Sequence, residues 1–170
     1  MVEKNFAAVN FRLTYSGPFS FQDFLNFTDH WAYEHHYHKE IKDHAQHHQQ
    51  RGQEIRYSIE LWRHVNTQVV AIVRLTFLAN KVKDVTISSR ARKDRAQHGD
   101  LIVEIDGLLE RHKLHAWENK PYIFFVRGII DRFIHKNLFD VDAGPLASDV
   151  RNLYDRTRGF FQKEETRYLS

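Results

Sequence analysis

The chain contains no cysteine. A disulfide framework and a thiolate metal site are therefore both excluded, and the composition suits a reducing compartment, so we expect a cytoplasmic protein. Glycine and proline are scarce, seven and three in 170 residues. No low-complexity linker, internal repeat or domain boundary interrupts the chain, which reads as one domain over 1–170. No run of about 18 apolar residues occurs, so no segment reads as a membrane-spanning helix. Residues 1–5 lack the apolar core of a signal peptide. Catalytic signatures are also missing. No serine nucleophile stands in a recognisable setting, and the zinc-protease pattern fails because Ala45, not glutamate, follows His44. The excess of positive charge is small, +3 with histidines neutral, whereas strongly basic nucleic-acid binders carry a larger and clustered one.

What is present is a core and a histidine cluster. Hydrophobic residues make up 42% and aromatics 14%, with thirteen phenylalanines. A chain of this length can bury roughly 70% of its unfolded surface, and so many rings imply a thick core or a cavity lined by rings. Seven of the twelve histidines, His30, His35, His36, His38, His44, His47 and His48, fall in one stretch. Histidine is the usual metal ligand and the side chain that most easily changes charge near neutral pH.

Residues 6–15 alternate, with Phe6, Val9, Phe11, Leu13 and Tyr15 apolar, and read as a first strand. Ser16, Gly17 and Pro18 break it. Ser20 with Asp23 then forms a capping pair, and Phe21, Phe24, Leu25, Thr28 and Trp31 follow at helical spacing to about Ala32. The histidine stretch serves either period, because Tyr37, Ile41 and Ala45 are spaced by four. With Gly52 as a C-cap it would be a helix; the meander that follows favours a strand over about 34–45, with Tyr37 and Ile41 facing inward. Ile55, Tyr57, Ile59, Leu61 and Val65 alternate next. A turn at Asn66, Thr67 and Gln68 leads to an apolar strand over 69–79, Asn80 and Lys81 turn again, 82–88 continues, and 101–109 supplies another strand. Connections of hairpin length imply an antiparallel sheet. From Pro121 the period changes: Tyr122, Phe125, Val126, Ile129, Ile130, Phe133 and Ile134 make one helical stripe. After a break at 140–145, Leu146, Val150, Leu153, Tyr154, Thr157 and Phe161 make another. The tail from about Lys163 is polar and is expected to fray.

The fold class is therefore α+β: a curved antiparallel meander, a short helix after the first strand, and C-terminal helices on one face. This order of elements, over residues 6–161, resembles the helix-grip superfamily of START and Bet v 1-like proteins. The resemblance lies in element order alone and brings no site residues. It implies a hydrophobic cavity between sheet and C-terminal helix that takes a small apolar molecule. The rings and aliphatics placed to line it are Phe11, Tyr57, Phe77, Phe125, Ile129 and Phe133. Ordinary core packing is the plain alternative for such stripes.

Three further constellations compete. On a strand, His36, His38, Glu40 and His44 share one face, and two histidines with a carboxylate can hold a divalent metal; a solvated strand face gives the same pattern. Arg90, Arg92, Lys93 and Arg95 form a basic loop, with Arg56, Arg63 and Lys83 on flanking strands, suited to nucleic acid or an acidic partner. Asp94 interrupts it and no aromatics interleave. Glu104, Asp106 and Glu110, like Glu60 with His64, alternate as an acid–base pair would, and also as exposed strand residues do. The reading that follows is a binding protein rather than an enzyme, with no cofactor evident, acting as a monomer or homodimer.

Overall fold

A computed structural model describes residues 2–89, 92–112 and 135–169, with side chains over 11–87, 95–111 and 144–168. Five strands and two helices follow in the order β1 (Val2–Phe19), α1 (Phe21–Glu34), β2 (His38–Gln49), β3 (Gly52–His64), β4 (Val69–Ser89), β5 (Arg92–His112) and α2 (His135–Leu169). The strands form one antiparallel sheet in the order β1-β5-β4-β3-β2. The α+β architecture expected from the sequence is the one observed.

Cross-strand register explains the patterning, because opposite residues share a face. One row runs Leu13, Val103, Phe77, Tyr57, His44; the next on that face runs Phe11, Ile105, Leu75, Ile59, Ile41. These rows make the inner face. Phe21, Phe24, Trp31 and Ala32 of α1 and Leu146, Val150, Leu153 and Phe161 of α2 bury it, in a single core with the strand residues. The intervening rows, Asp106–Arg74–Glu60–Glu40 and Arg12–Glu104–Thr76–Ser58–Asp43, make the outer face. At one end that face carries a small apolar cluster of Val70, Ile72 and Leu108 against Trp62.

The helix start is capped as the sequence predicts: Asp23 N–H donates to Ser20 Oγ at 3.2 Å. The turn at 66–68 is also as expected, with Asn66 Oδ1 accepting from the Gln68 and Val69 amides, both at 2.9 Å.

Several boundaries differ from the sequence reading. Ser16, Gly17 and Pro18 do not end β1, which runs on to Phe19 opposite Gln97; β1 is an edge strand, where proline costs no ladder hydrogen bond. Asn80 and Lys81 do not turn the chain either. They form a bulge within β4, with Lys81 at φ 54°. Gly52 is no helix cap: it opens β3 at φ 134°, and a Cβ there would lie 2.8 Å from the Lys81 carbonyl carbon. The predicted break at 140–145 is absent, and α2 continues through Pro145. The tail from Lys163, expected to fray, is helical to Leu169, with Glu164 and Tyr168 buried. The apolar stripe from Tyr122 to Ile134 lies outside the described residues.

Candidate functional site

The histidine stretch is a strand, as favoured, but a later one than expected. Glu34 ends α1, His35 caps it, and His36 sits in the turn at φ 59°. His36 therefore leaves the set that was to share one strand face. A bulge between Ile41 and Asp43 then inserts Lys42 as an extra residue. That single insertion reverses the side-chain parity beyond it. His38 lies opposite Trp62 and Glu40 opposite Glu60, on the outer face; His44 lies opposite Tyr57, on the inner face. The His38 ring sits 4.6 Å from Trp62, and the His44 ring 5.5 Å from Tyr57 and 6.0 Å from Phe21. Of the four proposed ligands His36, His38, Glu40 and His44, only His38 and Glu40 share a face, and among the described residues no three histidine, aspartate or glutamate side chains converge on one point.

The carboxylates on the outer face are held by cations. Glu60 accepts from Arg74 at 2.7 Å and lies 3.3 Å from Lys42, which also donates to Glu40 at 2.7 Å. Burial raises the Glu60 carboxyl, but Arg74 and Lys42 outweigh it and hold the group below its ordinary range. Glu104 pairs with Arg12 at 3.8 Å, Asp106 lies opposite Arg74, and Glu110 opposite Val70. This is cross-strand charge pairing on a wet face. Alternation along the strand predicts that Ile41 faces inward. It is on the inner face, opposite Ile59, yet 55% exposed, because β2 is the sheet edge and the helices do not reach over it there.

Of the ring set, Phe77 and Tyr57 are fully buried and close against other rings. Phe77 lies 4.9 Å from Phe24 and 5.2 Å from Phe21, and Tyr57 lies 5.7 Å from Phe21. Phe11 stacks on Tyr154 at 5.1 Å. Phe125, Ile129 and Phe133 lie outside the described residues.

Sequence reasoning missed two assemblies. The first is polar: Asp149 Oδ2 accepts from the Tyr37 hydroxyl at 2.8 Å and from Arg63 at 2.9 Å, while Arg63 also donates to the His35 carbonyl at 3.0 Å and lies 4.7 Å over the Tyr37 ring. Burial, with the Asp149 charge, drives the Tyr37 hydroxyl well above its ordinary range. Trp31 Nε1 donates to Asn152 at 3.0 Å beside it. This hub ties the end of α1 to β3 and α2. The second is a cleft of about 650 Å³. Ser20, Phe21 and Gln22 form its helix wall, and its floor is the far arm of the sheet, Asp84, Val85 and Thr86 of β4 with Arg95, Ala96 and Gln97 of β5. Phe21 closes the cleft from the ring core. The amides around the helix start are already taken: Ser20 N–H by Glu164 at 2.9 Å and Phe21 N–H by Gln97 at 3.3 Å. No periodic signal marks the cleft, since its helix wall and the β4–β5 hairpin that floors it are far apart in sequence. Of the basic loop, Arg95 reaches this cleft, Arg92 and Lys93 belong to β5, and Arg90 lies outside the described residues. No described helix is long and apolar enough to cross a membrane. Comparison with known proteins adds no relative: no family model matches the chain, and neither a curated protein nor a solved structure matches it.

Proposed function

We propose that the protein binds a small hydrophobic molecule with a polar end, taken in between the sheet and its helices through this cleft. The observation that carries the reading is the cleft itself. It has the size of ordinary small-molecule sites, one ring as its inner wall and a few polar groups at its floor. Displacing the Phe21 ring would join it to Tyr57 and Phe77, two of the residues placed in the cavity from sequence. The apolar body of the ligand then takes the place of the Phe21 ring, and its polar end meets Arg95 and Gln97. The order of sheet and helices, with a long C-terminal helix packed on an antiparallel meander, supports the likeness to helix-grip proteins and the same class of ligand.

The test uses untagged full-length protein. Native mass spectrometry should show an adduct of small-molecule mass that organic solvent removes. The stripped protein should then bind anilinonaphthalene sulfonate, an aromatic anion, saturably and one to one, with about tenfold weaker binding in Arg95→Glu, the loss of one charge-assisted contact. A bare native mass together with non-saturable probe binding would overturn the reading.

A further inference from the structure

The β4–β5 hairpin outruns the rest of the sheet. β3 stops pairing with β4 at Val82, opposite Gln53, and β1 stops pairing with β5 at Gln97, opposite Phe19. Five rows lie beyond: Val85 opposite Ala96, Thr86 opposite Arg95, Ile87 opposite Asp94, Ser88 opposite Lys93 and Ser89 opposite Arg92. No described strand flanks these rows on either side. At about 3.4 Å per row they make an arm about 17 Å long. A two-stranded ribbon gains little stability of its own in water, and the charge on this one points to another purpose.

Residues 83–97 contain five lysines and arginines against two aspartates, a balance of +3, and the whole chain is +3 with histidines neutral. The other 155 residues therefore sum to zero. A small excess gathered on one arm is the clustered footprint that a dispersed +3 would not give. Alternation then sorts the arm by face. Gln97, Arg95 and Lys93 fall on the inner side, with Asp84, Thr86 and Ser88 opposite them. Asp94, which interrupts the basic run in the sequence, falls on the other side, opposite Ile87. Lys83, Asp84, Thr86 and Arg95 are exposed, and among the described residues neither Lys83 nor Arg95 has an ion-pair partner. Asp84, the one carboxylate on the inner side within 83–97, sits at the root of the arm.

That side therefore carries Arg, Lys, Gln, Thr and Ser, the donors that reach phosphates and base edges. A two-stranded ribbon fits the major groove of B-form DNA, about 12 Å wide. The deep, narrow major groove of A-form RNA does not admit it. Single-strand binders stack bases on aromatic side chains, and residues 83–97 contain no Phe, Tyr or Trp. We propose that the β4–β5 arm is a DNA-binding ribbon, whose face carrying Gln97, Arg95 and Lys93 lies in the major groove of B-form duplex DNA. The inference goes beyond the ligand reading and does not depend on it.

The test is fluorescence anisotropy of the untagged full-length protein with a labelled DNA duplex of about 20 base pairs, two helical turns. Binding should be saturable at about 50 mM salt and fall about fiftyfold by about 200 mM, a log–log slope of about 3, since each neutralised phosphate contributes about 0.9. Arg92→Glu combined with Lys93→Glu should bind at least about tenfold more weakly and lower the slope by about 2, and Lys93→Ala alone should lower it by about 1. Both variants leave Arg95, shared with the cleft, intact. Each should keep the wild-type thermal midpoint and its binding of anilinonaphthalene sulfonate, so that failure of either proposal leaves the other standing. No saturable duplex binding at low salt, or wild-type affinity in the double variant, would overturn the proposal. So would equal affinity for an A-form RNA duplex, which would mean that phosphate charge alone is read. Tighter binding to vesicles of anionic phospholipid would make the arm a membrane contact and overturn it as well.

Discussion

The two faces of this sheet are built from alternate residues of the same strands and are held by different physics. The inner row Phe11, Ile105, Leu75, Ile59 is dry and packs against helices. The neighbouring outer row Asp106, Arg74, Glu60, Glu40 is a line of charges cross-linked by Arg74 and Lys42. Burial of apolar area is large per residue, and exposed ion pairs contribute little. The difference teaches that most of the apolar burial lies on one face, while the other, outside its Val70, Ile72 and Leu108 end, carries charges that keep the sheet in register. The cleft lies at the rim of the inner face, where packing gives way to polar contacts.

The largest break in this comparison should come from the centre of the inner face. Phe77→Ala removes a fully buried ring that touches Phe19, Phe21 and Phe24. It should cost about 3–5 kcal/mol in a urea titration, transfer and cavity costs together. A loss below about 1 kcal/mol would place it with the outer face, where single substitutions cost that little. The polar hub at the other end of the core should come next. Asp149→Ala strips the Tyr37 hydroxyl and Arg63 of their shared acceptor, and should cost about 1–3 kcal/mol by the same measurement. Tyr37→Phe, which removes one donor and keeps the ring, should cost less.

The contrast between faces also decides what could be read from the sequence. Element type was legible wherever period and burial coincide: the alternation of Ile55, Tyr57, Ile59 and Leu61 gives β3, and Leu146, Val150, Leu153 and Phe161 give the buried stripe of α2. The break residues misled. Pro18, the pair Asn80 and Lys81, and Pro145 all lie inside continuous elements, because an edge strand, a bulge and a long packed helix each tolerate what a local signal calls a stop. The candidate metal face failed for a related reason. Period two holds only while no residue is inserted, and the bulge at Lys42 sends His38 and His44 to opposite faces. The cleft and the bonds from α2 to the start of α1 were invisible because they join residues 20–23 to 84–97 and 164–167, and such contacts leave no local pattern.

Two smaller effects sharpen the comparison through pH. The folded-state pKa of Glu164 is raised, so the fold binds its proton more tightly than the unfolded chain does. That contribution is complete below the ordinary carboxylate range and is lost as pH rises through the raised value. Glu164→Gln should therefore raise the thermal midpoint at neutral pH and leave it nearly unchanged in acid. A lower midpoint at neutral pH alone would show that the ionised carboxylate stabilises the fold. Glu60 has the opposite sign. Its pKa is lowered, so its contribution is present above the ordinary carboxylate range and is lost as pH falls through the lowered value. Arg74→Met should cost about 1 kcal/mol at neutral pH, because the Glu60 side chain is only 13% exposed yet keeps Lys42 as a partner.

The smallest expected effect is the sharpest test of where the inner face ends. Ile41 closes the row that contains Ile59, Leu75 and Ile105, and by alternation alone it belongs to the core. Its neighbour Lys39, also on the inner face, reaches across to Asp29 of α1. An inward lysine and a bulge are both devices that keep an edge strand from pairing with another chain. The row therefore stops being core between Ile59 and Ile41, one strand short of the edge. Ile41→Lys should change stability by less than about 0.5 kcal/mol, like other exposed substitutions, and the protein should sediment as before. A loss above about 2 kcal/mol, the scale of a buried aliphatic, would mean that the edge is covered in solution and that the inner face runs its full width.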